Sequence, residues 1–592
     1  MSLTEYSTVK SEYDRSFSGP TTGGQNSCRE VQLRVVAALL LAASLVLGLA
    51  NIALLPPWEG FDEIAHFSYL QQIADSGSRP HTGSPLSAEV ESYAKIAPMP
   101  YRATIPYNDN GNWTYFHFFA APREVVELGR AAVHDKRNSD RPWQNGKSPN
   151  WEAQHPPIYY FLLAPLYSLS KGWSLAAQLF LLRSASYAVA WIGLCLATLS
   201  AFRSHRFVGN DVARATFVLA AALWPCLFPS WFPEMARLGN DCLVVFLIGV
   251  SWLVLMRLAG PTENVGAYVA LGLICSVGLL TKAFFLPFVA VLVGCLSLRM
   301  VFDRNDAALF RHRAVGMALL LLIMVAGTSW WYVEKIVETH SLLGADYSAM
   351  TAILARTGGL INGLYQHASE PVLFLKGVWH VVMSFRWSGT SSLVQPIYIA
   401  GPLNLTITAI MIGLIVWLRN SKVQLPDWIS ILTLVAVLTG IFYQVLLFIA
   451  AYASPGAPGW YLHAYAPALA PLLGFGLAGM HSWRRFRLIL ALLLFYPGLF
   501  LMGVTMLQAA IFSGCVEKQV DKYYPNFSSA PCATDVSVIF ERLNVLAYPA
   551  VAAVLFAAGF MLMLFGVVAA MRLIFFDQTS PLLINANRHN QL

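Results

Sequence analysis

The chain has 592 residues, of which 56% are hydrophobic and 12% charged, with a net charge of +7 and a mean hydropathy of +0.55. Soluble domains are about a quarter charged, so this composition excludes soluble domains joined by linkers and implies a polytopic membrane protein. Basic excess in such proteins belongs to cytoplasmic loops, and no nucleic-acid partner is expected.

Residues 1–30 are polar, rich in Ser, Thr and Gly, and lack an apolar core. They read as a disordered cytoplasmic tail without a cleavable signal peptide. Residues 31–55 then form the first span. Directly after it comes "PPWEGFDEIAHFSYL", from Pro56 to Leu70, which sets Glu59, Asp62, Glu63 and His66 beside the membrane. As a continuous helix, it would bring Glu59, Glu63 and His66 to one face. Carboxylates so close repel, which raises at least one pKa unless a cation or metal offsets it. That suits a general base or a metal ligand. The competing reading is a solvated helix start, where acids favour the dipole. The metal question rests on Asp62, Glu63 and His66, with a divalent ion such as Mg or Mn as the option. No zinc-type spacing is present.

The first outer loop runs over about 56–173. Within it, "WEAQHPPIYYF" follows Glu152 and His155 with a Pro-Pro step that can return both towards the acidic motif. The Tyr-rich segment 155–169 is too short to span comfortably and reads as an interfacial helix.

About twelve spans follow from hydropathy: 31–55, 175–202, 212–232, 239–258, 265–281, 284–300, 314–332, 400–418, 428–450, 461–480, 487–508 and 545–571. Alternation from a cytoplasmic N-terminus puts Arg203, Arg206, Arg257, Arg299, Arg304, Arg311, Arg313, Arg419, Lys422, Arg484, Arg485, Arg487 and Arg572 inside, as the positive-inside rule requires. Both termini are then cytoplasmic.

Arg183, Arg237 and Lys282 fall at the outer membrane edge, with Asn240 and Asp241 close by in "PEMARLGNDCL". Such cations need partners, and a lipid phosphate or an internal acid would each serve. A second outer loop, about 334–399, carries Arg386 and Trp387 in "SFRWSGTSS". Trp460, Tyr461 and His463 open a later span. These residues suit sugar stacking and polar contacts, or belt anchoring. Cys515 and Cys532 share an outer loop and are expected to form a structural disulfide.

Taken together, "PPWEGFDEIAHFSYLQQI", "EAQHPPIYYFLLAPLY", "LFLLRSAS", "LGNDCLVVFL", "GLLTKAFFLPF", "SFRWSGTSS" and "GWYLHAYAPALAPLL" resemble, in order and sidedness, the GT-C class of integral membrane glycosyltransferases. More narrowly they resemble a largely uncharacterised bacterial family with a D-E-x-x-H motif in the first outer loop. The likeness spans about 31–480. One departure is that Tyr461 and Leu462 follow Trp460, where relatives often carry an Arg-Tyr pair.

The resemblance implies an all-α polytopic fold with juxtamembrane helices in the first outer loop. It implies sugar transfer from a polyprenyl-phosphate donor to a glycan, lipid or protein hydroxyl, with inversion, on the outer face of a bacterial inner membrane, in cell-envelope assembly. Asp62, with Glu63, would act on the acceptor. Lys282, Arg237 and Arg183 would hold the donor phosphate. Glu59, His66, His155, Asn240, Asp241, Arg386, Trp387, Trp460, Tyr461 and His463 would line the substrates. Residues 481–572 would add C-terminal spans and the disulfide loop, and 573–592 a cytoplasmic tail. A transporter or lipid flippase, or a non-enzymatic receptor or scaffold, is the alternative.

Overall fold

The computed structural model describes residues 23–100, 112–137, 143–340, 353–518, 525–526 and 532–576, apart from breaks at 205–206, 208–209, 259–262, 388–389, 393–396, 422, 455 and 457. The first 22 residues of the expected tail, and 577–592, lie outside them. The protein is an all-α polytopic membrane protein. The helices that stand at the expected spans, in chain order, are α1 (Gly23–Leu54), α2 (Leu175–Arg203), α3 (Asp211–Leu227), α4 (Asp241–Leu258), α5 (Val265–Leu279), α6 (Phe285–Phe302), α7 (Ala307–Thr339), α8 (Ile397–Asn420), α9 (Leu425–Tyr452), α10 (Ala466–Met480), α11 (Arg487–Phe512) and α12 (Pro549–Met571).

Among the described residues, ten segments are long and apolar enough to cross a membrane. The exceptions among the twelve helices are α3 and α5, with 17 and 15 residues. At 1.5 Å per residue, each covers less than the ~30 Å hydrocarbon core. Helix α3 is nevertheless buried from Ala215 to Leu227, so neighbouring helices rather than lipid surround it. Helix α10 reaches spanning length only with the 3-10 turn Gly459–Tyr465 before it.

Several expected boundaries move. Helix α1 begins at Gly23, inside the expected tail. Helix α7 continues to Thr339, so the second outer loop starts later than 334. Ion pairs hold that last turn. Arg79 reaches Glu334 at 2.5 Å, and Lys335 reaches Glu338 at 2.6 Å.

The first outer loop is built rather than open. A helix over Glu63–Ser76 is buried along most of its length and packs on the helix Ile158–Leu169. Two short strands, Pro85–Ser87 and Asn145–Pro149, pair antiparallel and close the loop. The Ile158–Leu169 helix turns Tyr159, Tyr160, Leu163 and Tyr167 inward, while Phe161 and Leu162 remain 46% and 59% exposed. That division suits a helix lying at the membrane interface. Cys515 and Cys532 are joined in a disulfide.

Candidate active site

The acidic motif does not form one helical face. Trp58 and Asp62 both adopt left-handed backbone conformations, with φ of 68° and 60°. The helix therefore starts only at Glu63. Gly60 lies between them, where a Cβ would meet the Arg237 Cβ at 2.5 Å. The segment must be glycine there for the two chains to pack. As a result, Glu59, Asp62, Glu63 and His66 point to four different sets of partners.

Glu59 is fully buried and accepts from the Tyr115 hydroxyl at 2.7 Å, the Ser392 N–H at 3.1 Å and the Ser392 hydroxyl. Gly60 bridges Thr390, and the Ser391 N–H donates to the Glu59 carbonyl at 2.9 Å. Glu59 therefore ties the second outer loop onto the first.

Glu63 takes both arms of Arg183, at 2.7 and 2.6 Å, and the Leu238 N–H at 3.0 Å. Arg183 also donates to the carbonyls of Leu55 at 2.6 Å and Pro56 at 2.9 Å. Both side chains are buried and engaged with each other. This geometry joins α2 to the end of the first span.

Asp62 differs. It stands at the N-cap position of its helix, yet its side chain makes no cap hydrogen bond. Its Oδ1 accepts instead from Trp151 Nε1 at 2.9 Å. The reading of the acid as a simple helix cap does not describe it. Asp62 is half-buried, whereas Glu59, Glu63 and His66 are buried. Burial lifts its carboxyl above the usual range, against the opposing pull of Arg237, the Trp151 hydrogen bond and Lys282. A left-handed non-glycine residue costs on the order of 1–2 kcal/mol, and Asp is among the residues that tolerate it best.

His66 Nδ1 lies 2.8 Å from the Tyr160 hydroxyl and 3.5 Å from Glu152. His155 Nε2 lies 3.1 Å from the same Glu152 oxygen. Glu152 is pushed well above the carboxylate range by burial and by the charge on Asp62. Burial holds His66 well below its ordinary value, and it takes His155 down to about 3. Burial thus works against charge on all three members of this trio. Because Glu63 faces Arg183, Asp62 faces Trp151 and His66 faces Tyr160, the three residues considered for a divalent ion do not converge. Among the described residues, the one group whose ligand atoms do converge is His81, Glu334 and Glu338, on the α7 extension. Its carboxylates are already paired with Arg79 and Lys335.

Arg237 and Lys282 meet on Asp241, at 3.0 and 2.8 Å. Arg237 also pairs with Glu234 and donates to the Phe61 carbonyl at 2.9 Å. The Lys282 ammonium lies 4.9 Å from the Phe284 ring and 5.2 Å from the Tyr461 ring. Gly239 lets this turn approach, since a Cβ there would lie 3.0 Å from Arg237 Nη1 and 3.8 Å from His66 Nε2. Arg237 Nε and both amide atoms of Asn240 are buried without a hydrogen-bond partner. Unpartnered polar atoms of this kind are costly in an empty site and cheap in one that receives a polar ligand.

An aromatic cluster stands beside the acid. Phe61 packs edge-on against Trp387 at 5.4 Å and Trp460 at 5.6 Å, and Trp387 and Trp460 are 4.8 Å apart. Tyr461 follows at 5.6 Å from Trp460. Phe61, Trp387, Trp460 and Tyr461 are all half-buried, so part of each surface is free to stack. His463 and Arg386 do not join them. His463 Nε2 lies 2.8 Å from the Phe385 carbonyl, its Nδ1 accepts from Trp224, and its ring stacks on Phe385. Arg386 is buried against the Ala400 carbonyl and Met383. Each braces helices instead of facing the acid.

Trp151, which orients Asp62, has no role in the sequence patterns above, whereas Glu152, expected to return with His155 towards the acidic motif, lies 3.5 Å from His66. The only local signal was the run of Trp151, Glu152 and His155 in one short turn.

No family model matches the chain, and no curated protein does. Among solved structures, the chain is similar to the crystal structure of ArnT from Cupriavidus metallidurans bound to undecaprenyl phosphate. Identity is 14%, the likeness covers 91% of this chain and 77% of that one, and the TM-score is 0.41. It is similar also to ArnT from the same organism in the apo state, at 16% identity over 85% and 75% of the two chains, with a TM-score of 0.34.

Proposed function

We propose that this protein is a GT-C-type membrane glycosyltransferase that moves a sugar from a polyprenyl-phosphate donor to an acceptor hydroxyl. The observation that carries the reading is Asp62: a half-buried carboxylate held by Trp151, next in the chain to Phe61, whose carbonyl accepts from Arg237, the cation that meets Lys282 on Asp241. An acid beside two fixed cations matches the charge flow of this reaction. The acceptor oxygen attacks the anomeric carbon as its proton passes to Asp62. The bond from that carbon to the phosphate oxygen breaks, and the electron pair leaves with the lipid phosphate. Arg237 and Lys282, pre-positioned by Asp241, stabilise that growing charge. Attack opposite the leaving group inverts the anomeric centre.

The aromatic cluster of Phe61, Trp387, Trp460 and Tyr461 supports a ring-shaped ligand, because apolar sugar faces stack on such side chains. The unpaired Asn240 amide supports a polar ligand at the same turn. The resemblance of the seven motifs points to the same class and to the outer face of a bacterial inner membrane.

The test uses purified full-length protein with radiolabelled polyprenyl-phosphate sugars. Asp62→Asn keeps the Trp151 hydrogen bond and loses about 100-fold or more in rate, with melting temperature nearly unchanged. Lys282→Met acts in the same direction. Arg183→Gln instead strands Glu63 as a buried unpaired charge and lowers folded yield, since breaking such a pair costs about 3–5 kcal/mol. Full activity in Asp62→Asn, or no transfer from any donor by the wild type, would overturn the mechanism.

A further inference from the structure

The opposite end of the bundle carries a second polar cavity. Arg203 ends α2 twenty residues beyond Arg183, and Arg257 lies sixteen beyond Asp241 on α4. At 1.5 Å per residue, these are about 30 and 24 Å from the candidate active site. Between them lies a cavity of about 580 Å³, walled by α2, α4 and the start of α5. Among the described residues, the charged side chains that line it are Arg203 and Arg257, and none is acidic. Both are exposed, and among the described residues neither has a hydrogen-bond or ion-pair partner. By contrast, the nearby Arg299 and Arg313 are both paired with Glu263.

The walls divide by chemistry. Asn264, Gly266, Ala267 and Ala270 make a side of small residues, where the positive end of α5 adds to the field. A Cβ on Gly266 would meet only the Asn264 side chain, at 3.3 Å, so the space beyond it is open. Leu253, Val254 and Met256 supply an apolar side.

We propose that this cavity binds the phosphate of an anionic glycerophospholipid from the leaflet facing away from the candidate active site. Two free guanidinium groups recognise the phosphate, and the small-residue wall leaves room for the glycerol head. The apolar residues accept the first part of an acyl chain. Basic pockets between helices at a cytoplasmic membrane edge are suited to such head groups. This site is independent of the transfer reaction.

Native mass spectrometry of the detergent-purified full chain tests it, with dioleoyl phosphatidylglycerol as probe and dioleoyl phosphatidylcholine alongside. Phosphatidylglycerol is expected to saturate at a concentration at least about tenfold lower. Arg203→Gln with Arg257→Gln removes that preference, and Gly266→Phe weakens binding by filling the space while leaving the charge intact. Arg304→Gln with Arg311→Gln, which removes the same charge from exposed residues elsewhere on that side, leaves it unchanged. Equal loss in this control pair, or equal affinity for the two lipids, would overturn the site. Displacement by millimolar glycerol 3-phosphate would overturn the lipid as its occupant and assign a soluble phosphate ester.

Discussion

At Glu59, burial and hydrogen bonding pull in opposite directions. Burial is the larger effect, and it pushes the carboxyl from 4.5 up to about 7 against the hydrogen bonds from Ser392 and Tyr115, with nearby Glu63 adding to the rise. The folded state therefore holds this proton more tightly than the unfolded chain does. Its contribution to stability is complete below about pH 4.5 and is lost as pH rises to about 7, a change on the order of 3 kcal/mol. Glu234, also raised to about 7 by burial, acts with the same sign. Melting temperatures measured across this range should fall less steeply in Glu59→Gln than in the wild type, and an unchanged slope would remove Glu59 from the account. Asp62 carries the opposite consequence for rate. In the proposed reaction the base must be ionised, so activity should rise with pH through a value above the ordinary Asp range.

The positions of Arg183 and Asp241 depend on how α2 and α4 cross. Gly193 of α2 and Gly249 of α4 face each other so closely that a Cβ on Gly249 would lie 2.3 Å from the Gly193 carbonyl oxygen, and one on Gly193 would lie 2.6 Å from the Val245 carbonyl oxygen. Small residues allow membrane helices to pack backbone to backbone, which is where much of their association energy arises. Gly249→Val forces the pair apart. It should lower the yield of folded protein in size-exclusion chromatography and reduce activity in the fraction that folds, because Asp241 moves relative to Glu63. Gly440, where a Cβ would meet nothing, is the matched control: Gly440→Ala should behave as wild type.

On the scale of the whole molecule, separate outer segments must converge to complete the candidate site. The first loop supplies Asp62, Trp151 and Glu152; the turn before α4 supplies Arg237; the α5–α6 turn supplies Lys282; the second loop supplies Trp387; and the entry to α10 supplies Trp460 and Tyr461. The disulfide between Cys515 and Cys532 closes a loop of sequence separation 17 on this same side. Cys515 adjoins Gly514, where a Cβ would lie 2.5 Å from the carbonyl of Tyr115, the residue that donates to Glu59. Replacing both cysteines by alanine should lower stability by about 3 kcal/mol in the loop-entropy account. KM and kcat should hardly move, because among the described contacts neither Cys515 nor Cys532 touches Asp62, Arg237 or Lys282. A loss of kcat without a change in melting temperature would contradict this.

The sequence by itself determined the class of the molecule, the order of its apolar segments, and the residues from which a site could be made. Those properties are local. Hydropathy and length define a span, and loop charge orients it. Asp62, Arg237, Asp241, Lys282, Trp387, Trp460 and Tyr461 were all legible as unusual side chains at one membrane edge. The pairs of Arg237 with Glu234 and Asp241 are helix-spaced neighbours and locally legible, whereas only the tertiary structure decided that Glu63 takes Arg183 and Asp241 takes Lys282. Glu63 and Asp62 are neighbours in sequence, but a left-handed turn sends one into Arg183 and leaves the other half-open beside Trp151. Arg386 and His463 likewise read as ligand-binding groups and fold inward as braces. The physical reason is that a buried charge takes its meaning from its partner, and these partners lie up to hundreds of residues away, brought together by helix packing that no local pattern encodes.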